Sequence, residues 1–186
     1  MQIMSMVKVS PFITHDIISV MRMEGKPQEV SISDEHFEKA KNKAETAYKA
    51  LSAIPCPYLK EDVHFNARGL EHLKFKARDR ARNRFDQYAR FKLVHLVPEI
   101  IRRCATVQGV WETNVWESQK SHGRWEKRQR AVVYYEFIAV IGKARLKVIV
   151  KKSESSPPHF WSLIPFWKMN EITRERKLYD GDPESD

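Results

Sequence analysis

Cysteine is scarce in this chain, which carries only Cys56 and Cys104. Their separation fits neither a metal-binding spacing nor a disulfide framework. A reduced, cytoplasmic location is therefore expected, and neither thiol reads as a nucleophile. Long apolar runs are missing as well; the longest are strand-sized, too short to span a bilayer as a helix. The opening MQIMSMVKVSPFIT lacks a basic segment leading into a continuous apolar core, so it does not read as a signal peptide. No phosphate-cradling GxxxxGKS/T, no GxGxxG and no GxSxG elbow occurs, which leaves nucleotide loops and hydrolase elbows without support. No HExxH or paired Cys/His set offers zinc ligands, and no cofactor is expected. Glu112, Glu117 and Glu136 fall on expected strands and do not form the clustered carboxylates of a two-metal nuclease.

What the chain has in excess is positive charge. Its 186 residues carry a formal net charge of +9, with a sequence pI near 9.6. Polyanions are the partners such a surface suits, whether RNA, DNA or anionic lipid. The charge is clustered. From Arg68 to Lys92 nine cations, including Lys74, Lys76, Arg78, Arg80 and Arg82, face three acids. A second cluster, Lys120, His122, Arg124, Lys127, Arg128 and Arg130, occupies a glycine-containing connection between strands. Clusters of this kind neutralise phosphates and order a bound strand; the plainer reading of the helical one is a solvated face with i,i+4 ion pairs.

The expected fold class is α+β, with N-terminal helices packed on an antiparallel sheet of about four strands. Ser33 reads as an N-cap, with Asp34 and Glu35 in the first turn, for a helix over 33–54 whose apolar stripe runs through Phe37, Ala40, Ala44, Ala47 with Tyr48, and Leu51. Pro55 and Pro57 then end it. DVHFN reads as a short strand, and GLEHLKFKARDRARNRFDQYARF as one long basic helix from Gly69. Pro98 opens a third helix. VWETNVWES and three later runs alternate like a meander. In the third of these four strands Leu146, Val148 and Val150 point one way, while Arg145, Lys147 and Lys151 form a row of cations toward solvent or ligand. The organisation expected is an N-terminal extension over 1–60, an α+β domain over 61–170 and a polar tail over 171–186.

Cleaving RNA without a metal requires a general base, a general acid and a cation to meet the charge on the phosphorane. His72, in the basic helix, and His159, at the start of the last strand, are the histidines in such company. Trp161 shares the His159 face and could stack a base, whereas regular pleating puts Ser162 on the opposite one. His122 is a loop histidine able to close over substrate. His64, between Val63 and Phe65, reads as structural.

The order of VHFN, GLEHLKFK on a helix, YYEFIAVIGKARLKVIVKK and a closing HFWSLIPFW resembles the barnase, EndoU, colicin and RelE group of small nucleases, in its phage-borne branches. The resemblance covers about Asp62 to Lys168. It implies metal-independent endoribonuclease activity by 2′-OH attack, often as a toxin of a phage or mobile element with an antitoxin or immunity protein. It matches His72 to the helix histidine and Ser162 to a closing-strand hydroxyl, with Lys152 and Arg130 as strand cations. On this reading His72 and His159 share acid and base duties, Lys152 and Arg130 stabilise the phosphorane, and Ser162 orients a phosphate oxygen. Lys74, Lys76, Arg78, Arg80, Arg82, His122, Arg124, Arg128 and Trp161 bind the nucleic acid. The alternatives are a non-catalytic nucleic-acid-binding module and a phage-encoded inhibitor, each using the same basic face.

Overall fold

Ser33 starts the first helix as its spacing predicts. Its side-chain oxygen accepts a hydrogen bond from the His36 amide at 3.3 Å, and helix α1 runs over Asp34–Lys49. Phe37, Ala40, Ala44 and Tyr48 are its buried stripe. The computed structural model describes residues 32–76, 80–121, 123–141, 144–154 and 156–165. Arg78 and His122 lie outside them, and so do the whole polar tail and residues 1–31 of the N-terminal extension.

The helix stops five residues earlier than the sequence suggests, because Ala53–Cys56 is strand β1, paired antiparallel with β2, Glu61–His64. Pro55 sits inside β1 without breaking the sheet, since β1 is the edge strand and a missing N–H costs no ladder bond on its open side.

The long basic helix is two helices. Asn66 caps α2, Ala67–His72, by accepting from the Gly69 amide at 3.0 Å. The chain then doubles back: Lys76 donates its amide to the Arg80 carbonyl, Arg82 donates to that of Lys74, and Phe75 bridges Ala81 antiparallel. Asn83 restarts a helix, α3, Arg84–Leu93, by capping the Asp86 amide at 2.7 Å. The apolar spacing through Ala77 and Ala81 fits one helix, but two asparagine caps and the Arg82 side chain, whose Nε donates to the His72 carbonyl at 2.9 Å, favour a break. A 3₁₀ turn, Val94–Leu96, leads into α4, Val97–Arg103, which has Pro98 in its first turn.

Strands β3, Gly109–Ser121, β4, Arg124–Ile141, β5, Ala144–Ser153, and β6, Ser156–Ile164, form the expected meander. The sheet nevertheless has six strands, in the order β1-β2-β6-β5-β4-β3. The β1–β2 hairpin adds to β6, and that junction is parallel, so the sheet is mixed. Thus α1 and β1, assigned by sequence to an extension, belong to the same core and sheet as the rest. No described helix is long and apolar enough to cross a membrane.

One sheet face carries the main core, where Val63, Phe137, Val148, Val150, Phe160 and Leu163 join Phe37, Phe91, Leu93, Val97 and Ile101 from the helices. Burying side chains of this size contributes about 1.5–3 kcal/mol each. The other face does not carry a solvent-facing cation row. Arg145 is exposed, but Lys147 is 0% and Lys151 3% exposed. Lys147 is held by Glu136 at 2.8 Å, and Lys151 lies over the rings of Trp161 and Tyr134 at 4.3 and 5.4 Å. A second apolar cluster, Val132, Tyr134, Ile149, Trp161 and Ile164, lies on this face.

Candidate functional site

The register lines up one row of residues on this second face. His64 on β2 pairs with His159 on β6, His159 with Lys151 on β5, Lys151 with Tyr134 on β4, and Tyr134 with Trp111 on β3. Cross-strand partners share a face and neighbouring strands lie about 4.8 Å apart, so two imidazoles and an ammonium are neighbours. The hydroxyl of Tyr134 is buried with no hydrogen-bond partner among the described residues.

A β-bulge adds to the row. Val150 pairs with Phe160 and Ile149 with Ser162, so Trp161 is an extra residue with no β5 partner. Phe160 turns into the main core, while His159, Trp161 and Ser162 share the other face. Regular pleating would have separated Ser162 from His159; the bulge unites them.

His64, His159, Arg68 and Lys151 line one pocket of about 320 Å³, with Asn66, Ser153, Ser156 and Pro157 completing the wall. His64 and Arg68 are exposed at its rim, and His159, 7% exposed, lies deeper. Asn66 and Arg68 are brought there by α2, which packs closely on β6. A Cβ on Gly69 would overlap the Tyr48 hydroxyl and the Phe160 carbonyl oxygen, so only glycine allows this approach. The hydroxyls of Ser153 and Ser156 are 2.7 Å apart.

The residues singled out from sequence divide sharply. His159 lines the pocket. His72 does not; its ring packs on Trp161 with centroids 3.9 Å apart, while His159 meets the same indole at 6.1 Å. Trp161 is 5% exposed and covered by protein, so it cannot stack a base as the sequence suggests. Ser162 is fully buried and accepts from Arg90 Nη1 at 2.9 Å. Arg90 and Arg82 both hold Asp86, at 2.9 and 3.3 Å, which makes Arg82 an internal strut and no phosphate contact. Lys152 is displaced by one residue from Lys151, hence on the opposite face, and pairs with Glu61. Arg130 shares the site's face but lies four residues along β4 from Tyr134, roughly 13 Å away by strand rise.

Lys74 is bound to Glu45 of α1 at 2.6 Å; that hydrogen bond holds the Glu45 carboxyl below its usual range against the opposing effect of burial. Lys76 and Arg80 are exposed on the bridge segment, and Arg124 and Arg128 are exposed on β4. Among the described residues no group of three His, Cys, Asp or Glu side chains is placed to hold a metal ion. His64 was read as structural, and Arg68 and Lys151 as members of two separate groups of cations, not as neighbours around one pocket. For His64 the signal was its place in the VHFN strand, but its neighbour on β6 is not readable from local pattern. No protein-family model, curated protein or solved structure matches the chain.

Proposed function

We propose that this protein is a metal-independent endoribonuclease. One observation carries the reading: two histidines from adjacent strands meet two cations, Lys151 and Arg68, around a single pocket. One imidazole of the His64–His159 pair removes the proton from a ribose 2′-OH, and that oxygen attacks phosphorus. The other donates a proton to the departing 5′-oxygen as the P–O5′ bond breaks, leaving a 2′,3′-cyclic phosphate and a free 5′-OH. Lys151 and Arg68 meet the charge that gathers on the non-bridging oxygens. His72, Trp161 and the Ser162–Arg90 contact hold the β6 bulge that presents His159. A toxin role for a phage or mobile element, with a protein that neutralises it, belongs to the same reading and rests on the resemblance alone.

A second reading, a non-catalytic RNA-binding module, is favoured by the Lys151 ammonium, whose position over the Trp161 and Tyr134 rings already commits it within the fold. Incubating purified protein with bulk RNA in EDTA separates the two. New 2′,3′-cyclic phosphate termini support the nuclease, and intact RNA that co-migrates with the protein supports the binder.

A further inference from the structure

Strands β3 and β4 outrun their sheet. Their ladder continues to Ser121↔Arg124, but β5, the other neighbour of β4, ends at Val132↔Ser153. Beyond that pair the chain is a two-stranded ribbon, Asn114–Ser121 against Arg124–Ala131, on the order of 25 Å long by strand rise. Gly123, at φ 82°, turns its tip.

The two faces of this arm differ. Arg124, Glu126, Arg128 and Arg130 alternate onto the side that continues the row of Tyr134. The opposite side carries Trp125, Lys127 and Gln129, with Trp116 paired to Gln129. Trp116 is 70% and Trp125 73% exposed, the most exposed large apolar residues described. No described side chain on that side is acidic; besides those four, the described side chains there are Asn114 and Ala131. Glu126 faces the other way, against Arg128 at 3.0 Å.

We propose that the arm is a single-strand RNA grip, in which Trp116 and Trp125 stack unpaired bases while Lys127 between them meets the backbone. Two bare indoles leave large apolar area in water without return unless a ligand covers them. Bases have the flat π-faces they fit, and the cations around them select a polyanion. A second copy of this chain would bring +9 against +9, and it offers the arm no charge complement. Duplex RNA hides its bases in the stack and fits less well. The inference goes beyond the nuclease reading, because the grip lies on the face opposite the pocket, and it is tested apart from cleavage.

The probe is a fluorescently labelled 2′-O-methyl pyrimidine 12-mer, which cannot be cleaved by 2′-OH attack, compared with a duplex of the same strand, both by anisotropy on the full chain. W116A/W125A is expected to weaken single-strand binding by roughly tenfold or more, because stacking one base contributes about 1–3 kcal/mol. W116F/W125F should recover most of it, and duplex binding should hardly change. An unaltered single-strand affinity in the alanine pair overturns the proposal, as does equal loss on duplex. A wild-type dimer that the alanine pair dissociates in sedimentation also overturns it, marking a protein interface instead. If wild type cleaves nothing but the alanine pair still loses the 12-mer, the grip stands and the nuclease reading falls.

Discussion

His64 and His159 are register partners across the one parallel junction of the sheet, and both border the same pocket. One lies on a four-residue strand near the start of the domain and the other on the closing strand. The backbone register sets their separation at about 4.8 Å between strands. That fixed spacing suits the proposed reading, in which the two groups exchange protons with one phosphodiester.

Alanine at either histidine is therefore expected to lower RNA cleavage by about 10²–10⁴-fold with little loss of RNA affinity. Lys152→Ala, on the opposite face, should leave the rate within a few fold. The wild-type rate should be bell-shaped in pH, because one imidazole must start neutral and the other protonated. Initial rates in EDTA from pH 5 to 9 check all three; equal activity in H64A and wild type would return the second proton transfer to His72.

Gly69→Ala should destabilise the fold by about 1–3 kcal/mol or more through overpacking, since one of the atoms in its way is backbone and cannot rotate aside. Urea unfolding measures it. Gly69→Ala should also displace Asn66 and Arg68 from the pocket wall and weaken substrate binding.

Salt dependence should sort the basic segment. Neutralising Lys76 and Arg80 together is expected to flatten the slope of log affinity against log salt by about 1.4–1.8, at roughly 0.7–0.9 per phosphate contact. Arg82→Ala, which removes a buried strut to Asp86 and the His72 carbonyl, should instead lower the melting temperature and change the slope little. A binding isotherm series and a thermal melt on the same samples distinguish them.

Lys74→Ala should cost stability and leave RNA affinity unchanged. Glu45 titrates below its usual 4.5 in the folded chain because of Lys74. A depressed carboxyl stabilises the fold above its unfolded pKa, and the contribution is lost as pH falls through the folded value. The gap between wild type and Lys74→Ala should therefore be constant at neutral pH and close below about pH 4. Chemical denaturation at pH 7, 5 and 3 reads it out.

How legible this was follows from the range of each signal. Helix α1 and the meander were readable because Ser33, the stripe from Phe37 to Tyr48 and the alternation in β5 act over a few residues. The break after His72 was not, since an apolar spacing that fits a helix competed with a short-range cap at Asn83 and with Arg82, whose partner, the His72 carbonyl, lies ten residues back. Periodicity placed Lys147 and Lys151 on one face correctly but could not say what else would cover it. Trp161 and Ser162 depended on a bulge, and a one-residue insertion reverses every facing after it. His64 depended on a parallel pairing between distant segments, which no local pattern encodes.

The parallel junction also orders events in time. In a chain made from its N-terminus, β2 and α2 emerge early and β6 is the last strand described, so every other strand can form before the pocket has its second wall. A partly synthesised chain holds His64 and Arg68 but has no His159 beside them. The cleft therefore forms only once β6 has been made. On the nuclease reading proposed above, a ribosome making this protein meets no complete pair of catalytic histidines until β6 has left it.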